Sequence, residues 1–285
     1  MVAPTRPRCK RLFASRGRAA FGEIWCCAEA SRPAGAAATS AEVTGDHLGQ
    51  VAQLTPLVVA HRGAWGIAPE NTLAAFEGAV GLGADMVEFD VWRCGSGELI
   101  VLHDGVVQGR SIHSLTHREV VELIGRPVPR LEEVLDLTRG RIGIDLELKD
   151  SECVAEVSEV VRRQALPGLV LLSSFSTKVV GELRALDLNV RLGLIWARPL
   201  GRGGEHDPVQ AASSVGATHL ALHHRLLREQ LIVHARGAGL ELLPWTVNGP
   251  RVLRRWLACD AVWGVVTDRA ELALELRSLL QRPRA

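Results

Sequence analysis

LVVAHRGAWGIAPENTLAAFEGAVGLGADMVEFDVWRCGSGELIVLHD, running from Leu57 to Asp104, carries the spacing on which the fold is read. Three of its apolar runs, 57–60, 86–91 and 99–102, are short and rich in β-branched residues, as strands are. The first ends on His61 and Arg62, the third on His103 and Asp104, and the second holds Glu88 and Asp90 inside it. Between the first two runs, Pro69-Glu70-Asn71-Thr72 precedes a helical stretch over 73–80, where Asn71 or Thr72 can cap and Pro69 blocks extension backwards. Between Trp92 and Leu99 lies only Arg93-Cys94-Gly95-Ser96-Gly97-Glu98. A parallel crossover needs about a dozen residues, so strands 86–92 and 99–103 are expected to form an antiparallel hairpin.

Side chains at i and i+2 of a strand share a face, so Glu88 and Asp90 point the same way. Two carboxylates on the inner face of an apolar strand are costly to bury without a cation between them. The hairpin folds His103 back towards that strand, so both histidines can reach the same carboxylates.

Working outward, further strand candidates lie at 142–148, 169–173, 191–195, 219–222, 241–246 and 264–267, separated by helix-length segments. Alternation of this kind argues for a parallel α/β fold. Setting aside the hairpin strand 99–103 leaves eight. The expected fold is therefore a (β/α)8 TIM barrel with an extra antiparallel strand after the second barrel strand and a short insertion, with its site at the C-terminal strand ends.

His-Arg-Gly followed by Pro-Glu-Asn-Thr, then Glu88-Phe89-Asp90-Val91, then His103-Asp104, resembles the glycerophosphodiester phosphodiesterase family of TIM-barrel phosphodiesterases. Later matches are Glu147-Leu148-Lys149, Ser173-Ser174-Phe175, Trp245-Thr246-Val247-Asn248 and Val265-Val266-Thr267-Asp268, so the resemblance spans roughly residues 57 to 280. It implies metal-dependent hydrolysis of glycerophosphodiesters to sn-glycerol 3-phosphate and an alcohol. Two departures stand out. The turn after the second strand reads Cys94-Gly95-Ser96-Gly97, and the segment Asp104 to Pro129 is shorter than the capping insertion of many relatives. A smaller lid bears on the substrate more than on the reaction.

Glu88, Asp90 and Glu147 are the candidate metal ligands; Asp145, Glu147 and Lys149 share one strand face. All-oxygen ligation suits one divalent ion, Mg2+ or Ca2+. The rival reading, inward charges merely paired with Lys149 and Arg62, is disfavoured by the surplus of carboxylates, and the resemblance implies the metal. His61 and His103 are the candidate acid/base pair, because imidazole can give or take a proton near neutral pH. The residues themselves do not apportion the roles; the resemblance implies His61 as acid and His103 as base. Arg62 and Lys149 are the candidate phosphate ligands, and the chain keeps lysine at 149 although it has only three lysines against 30 arginines. Trp245 ends the seventh barrel strand, and the resemblance implies that it packs against glycerol. Glu70 is read as an anchor of its turn or a peripheral ligand, and Ser174, Phe175 and Asp268 as framework.

At 47% hydrophobic the chain has material for a large core. Net charge is +1, but Arg6, Arg8, Lys10, Arg11, Arg16 and Arg18 precede the first acidic residue, so the remainder is negative and bears no nucleic-acid footprint. Residues 1–50 are expected to be a disordered extension, and 51–285 the barrel domain. Six cysteines without CxxC spacing point to a reduced compartment, and no secretory signal or membrane span is evident, so a cytoplasmic location is expected. The alternatives are a lysophospholipase D-type phosphodiesterase and a catalytically silent barrel that binds a phosphorylated ligand. Two acid/base histidines count against the second.

Overall fold

A computed structural model describes residues 55–199 and 207–281. The extension expected over 1–50 lies outside the described residues. Among the described residues eleven strands form: β1 (Leu57–His61), β2 (Met86–Arg93), β3 (Leu99–Val101), β4 (Val106–Val107), β5 (Arg110–Ser111), β6 (Gly143–Leu148), β7 (Val170–Ser174), β8 (Arg191–Trp196), β9 (His219–His223), β10 (Glu241–Trp245) and β11 (Gly264–Thr267). Eight are parallel neighbours in the order β10-β9-β8-β7-β6-β2-β1-β11. A bridge between Leu242 and Val262, with Trp263 N–H donating to the Leu242 carbonyl, brings the two ends of this series together. The result is the expected barrel, nearly closed. β3 lies antiparallel on β2, pairing Val91 with Val101 and Arg93 with Leu99, as the short connection requires.

Strand parity separates two cores. Val59, Met86, Leu171, Ile195, Leu243 and Val266 point inward and fill the barrel below the site. The alternate residues of β2, Val87, Phe89 and Val91, point outward under the helices, where Phe89 meets Phe76 with ring centroids 5.6 Å apart. Burying each such side chain contributes about 1.5–3 kcal/mol before the entropy of ordering it is counted. The first helix, Leu73–Leu82, starts at Thr72, whose hydroxyl accepts from Ala75 N–H at 3.1 Å. Thr72 and not Asn71 is therefore the cap, which leaves Asn71 free for another task.

The segment after β3 folds on a small core of its own, with Ile100, Leu102, Ile112 and Leu115 at its centre. It comprises the β4–β5 hairpin, a 3-10 turn (Ile112–Ser114) and the helix His117–Ile124, begun by a reciprocal Thr116–Glu119 capping box. Gly105 is required here: a Cβ at that position would lie 2.6 Å from the Trp92 ring.

His219 sits at the foot of the barrel, 2% exposed, with its ring edge-on to Trp263 at 4.4 Å and Nδ1 2.8 Å from the Thr218 hydroxyl. Burial, with Arg191 nearby, pushes this imidazole down from 6.5 to about 3. A folded-state value below the unfolded one means stability is intact above pH 6.5 and is lost as pH falls towards 3, where only the unfolded chain takes up the proton. His219→Gln removes that loss. The gap in melting temperature between wild type and His219→Gln should therefore shrink as pH is lowered from 7 to 4, on the order of 1.4 kcal/mol per pH unit. A gap independent of pH would show that the ring is protonated in the fold.

Candidate active site

Register builds the site. His61 on β1 pairs with Glu88 on β2, which pairs with Asp145 on β6. The next inward row is Asp90 on β2, Glu147 on β6 and Ser173 on β7. Adjacent strands lie about 4.8 Å apart, so same-face residues in register are forced together. Glu88, Asp90 and Glu147 accordingly offer one oxygen each within 4.8 Å of one another. Glu88 and Glu147 border a cavity of about 260 Å3 at the C-terminal strand ends, whose wall also includes His61, Arg62, His103, Lys149, Phe175 and Trp245.

The two candidate phosphate ligands are in contact with the carboxylates. Lys149 Nζ lies 2.9 Å from Asp90 and 2.7 Å from Glu147. Arg62 reaches Glu70 at 2.9 Å and Asp90 at 3.3 Å, and its own N–H donates to Glu88 at 3.1 Å. Glu70 thus holds Arg62 and is not one of the three converging carboxylates. Arg62 and Asn71 both adopt left-handed backbone, φ 55 and 53, on either side of the loop that presents them. For arginine that conformation costs about 1 kcal/mol or more and persists only where its surroundings enforce it. Gly63 beside it has φ 90, and a Cβ there would be 2.7 Å from Ala75.

Glu88, 5% exposed, is the decisive carboxylate. Among the described residues it forms no ion pair with lysine or arginine; its one ionic contact is the His61 Nε2, at 3.8 Å. Burial first, then repulsion from Asp90, Glu147 and Asp145, pushes it well above the ordinary carboxylate range. Burial likewise raises Asp145 and Glu147 to about 7, the latter against the opposing pull of Lys149. Burial alone would lower Arg62 and Lys149, but the surrounding carboxylates outweigh it and raise both. A buried group of oxygen donors carrying more negative charge than its two permanent cations offset fits a divalent ion.

His61 Nδ1 lies 2.5 Å from Asp268 Oδ1, with the ring's other nitrogen towards the cavity. Asp268 is gripped in turn by Asn248, which donates to its carboxylate and accepts from its N–H at 3.0 Å. Burial alone would raise Asp268; the hydrogen bonds and charges of His61, Asn248 and Arg62 outweigh that and hold it below the ordinary range. An ionised carboxylate on Nδ1 fixes which ring nitrogen carries the proton. His103 stands at the rim, its Nδ1 2.8 Å from Asp104 and its carbonyl accepting from Trp92 Nε1 at 3.1 Å.

Trp245 donates its indole N–H to the Ala221 carbonyl at 3.0 Å, and Phe175 meets its ring edge-on at 5.6 Å. Phe175 and Asp268, read from the sequence as framework, therefore face the cavity and His61 respectively; Ser174 is framework, its hydroxyl donating to the Leu148 carbonyl. Asn71, read from the sequence only as a possible cap, and Asp145, read only as sharing a face with Glu147 and Lys149, are not among the candidate site residues. Asn71 is fully buried and donates to Asp90 at 2.9 Å, and Asp145 accepts from Ser173 at 2.6 Å. The signal for Asp145 was its i+2 spacing from Glu147. Asn71 gave no local signal beyond its place beside the cap.

The family model described as Glycerophosphoryl diester phosphodiesterase family matches residues 61–272. The chain is 26% identical over 241 residues to a glycerophosphodiester phosphodiesterase of Caldanaerobacter subterraneus subsp. tengcongensis, covering 77% of this chain and 97% of that one. To a Bacillus subtilis protein of the same name it is 26% identical over 250 residues, covering 76% and 84%. The fold matches the crystal structure of a glycerophosphodiester phosphodiesterase from Parabacteroides distasonis with a TM-score of 0.69 at 26% identity, over 79% of this chain and 98% of the other.

Proposed function

The chain belongs to the glycerophosphoryl diester phosphodiesterase family and is a phosphoric diester hydrolase, and from that premise we propose that it cleaves glycerophosphodiesters to sn-glycerol 3-phosphate and an alcohol by metal-assisted acid/base catalysis. The observation that carries this reading is Glu88, a buried carboxylate without a permanent cation, in one cavity with two histidines.

Glu88, Asp90 and Glu147 would hold a single Mg2+ or Ca2+ ion. Bound there, a divalent ion supplies Lewis-acid polarisation of the phosphoryl group. The remaining tasks belong to the chain. Arg62 and Lys149 present N–H donors to the phosphoryl oxygens, the first as a planar fork and the second as a compact charge. His103 accepts the proton of the attacking oxygen, either water or the substrate's own glycerol 2-hydroxyl; in the second case the cyclic phosphate so formed is opened by water in a further step to give sn-glycerol 3-phosphate. As the new P–O bond forms and the bond to the leaving alcohol breaks, His61 delivers a proton from Nε2 to the departing oxygen. The acid is the imidazolium: its Nδ1–H donates to Asp268, whose negative charge favours that form, and its second proton, on Nε2, is the one delivered. Phe175 and Trp245 supply an apolar wall for the glycerol carbons.

The test is release of sn-glycerol 3-phosphate from glycerophosphocholine and glycerophosphoethanolamine by the folded, metal-supplied protein. Release from both is expected. Cleavage of lysophosphatidylcholine with neither soluble diester touched would overturn the substrate assignment in favour of a lysophospholipase D.

A further inference from the structure

The two histidines of the cavity are held in different ways. His61 is gripped through its imidazole by Asp268, which Asn248 fixes in turn. The His103 imidazole meets Asp104 at 2.8 Å, but that carboxylate is 77% exposed, and an exposed pair does little to fix geometry. The sheet gives no further hold. β3 ends at Val101, Leu102 N–H donates to the Asp90 carbonyl, and His103 stands past both in a bend. Its carbonyl, however, accepts from the indole Nε1 of Trp92 at 3.1 Å. We propose that Trp92 is a positioning residue for the general base: its indole N–H holds the His103 backbone and so aims the imidazole at the attacking oxygen. The inference rests on the assignment of His103 as that base.

Trp92 suits that task because its own surroundings fix it. Period-2 parity along β2 sets it on the strand face of Glu88 and Asp90, so it belongs to the strand that carries the carboxylates. Antiparallel pairing with Ile100 ties its backbone to β3. The ring packs directly on the chain just beyond His103, where Gly105 makes room for it: a Cβ there would come within 2.6 Å of the indole. His113, from the 3-10 turn of the insertion, meets the same ring edge-on at 5.8 Å. Its Nδ1 lies 3.6 Å from Asp150, a carboxylate only 7% exposed that follows Lys149 in the chain. The indole is thus braced from β2, from the insertion and from the loop after β6. Precision is what such bracing supplies. A displacement of about 1 Å in a reacting group can cost on the order of a hundredfold in rate, and groups on loops hold their place less well than groups on strands. A strand-borne indole gives His103 the fixed backbone that its own bend lacks.

The experiment is a double-mutant cycle of Trp92→Phe with His103→Ala in the metal-supplied protein. It is read on glycerophosphocholine and on glycerophospho-p-nitrophenol, whose leaving group needs no proton. Phenylalanine keeps an aromatic ring and removes the N–H. Trp92→Phe should lower kcat about tenfold to a hundredfold with KM close to wild type, and on both substrates alike. In the His103→Ala background the same change should have almost no further effect, since a misplaced base costs nothing once the base is gone. Affinity for Mg2+ or Ca2+ alone, read by calorimetry, should stay at the wild-type value. Losses that multiply across the cycle, or weaker ion binding, would show a general structural role and overturn the proposal. A deficit that disappears with the p-nitrophenol ester would place the effect on His61 and overturn it equally. If phenylalanine unfolds the insertion, 3-benzothienylalanine at position 92 runs the same cycle, with the shape of indole and no N–H. Failure of the underlying reading is recognised without any Trp92 variant: the wild type would release no product from either diester, or His103→Ala would keep full turnover. Either result would take this inference with it.

Discussion

His61→Ala is expected to lower kcat on glycerophosphocholine by about 10²–10⁴, the range that a positioned general acid contributes, with little change in KM. The sharper expectation concerns its dependence on the leaving group. A p-nitrophenolate departs without a proton, so with glycerophospho-p-nitrophenol the His61→Ala variant should recover most of its activity. His103→Ala should not recover, because the attacking oxygen must still be deprotonated. Asp268→Asn belongs to the same series. It keeps size and hydrogen bonding but removes the charge that faces Nδ1 at 2.5 Å. It should cost about tenfold to a hundredfold, a fraction of the full acid contribution, and should likewise be milder with p-nitrophenolate. Equal losses for His61→Ala and His103→Ala on both substrates would refute the division of roles.

The second large effect is on the metal. EDTA treatment should abolish turnover, and Mg2+ or Ca2+ should restore it. Glu147→Gln removes one of the three converging carboxylates and should weaken metal binding by a factor of at least 10, read by calorimetric titration of the ion alone. Stability provides a reading independent of turnover. Asp145 and Glu147, raised by burial to about 7 from 3.8 and 4.5, contribute stability that is present below their unfolded values and is lost as pH rises through about 7. Glu88 shifts in the same direction. The metal-free wild type should therefore lose stability relative to metal-free Glu147→Gln as pH rises from 5 to 8. Added metal binds the ionised carboxylates, so its stabilising effect on the wild type should be larger at pH 8 than at pH 6. A melting curve indifferent to metal at pH 8 would show that Lys149 and Arg62 satisfy the cluster unaided.

Much of this was legible in the residues because two local rules suffice for it. Period-2 parity puts Glu88 with Asp90, and Asp145 with Glu147 and Lys149, on inner faces. Connection length separates crossover helices from the one hairpin, between β2 and β3, and so yields eight barrel strands. His61 and His103 stand at strand ends, where barrels place their chemistry. The interior of the short insertion was less legible: its 3-10 turn and two-residue strands are held by the small core around Ile112 and Leu115 and have no periodicity of their own.

The alternation of elements, the hairpin and the inward-facing carboxylates are all written along the chain, since each depends on neighbours within about a dozen positions. Which groups partner them depends instead on contacts between distant segments. Asp268 reaches His61 across 207 positions because β11 pairs with β1 as the barrel comes round on itself, and Asn71 turns to Asp90 because left-handed backbone directs it inward. Such contacts are set by the packing of a nearly closed barrel, and no spacing along the chain encodes the distance across it.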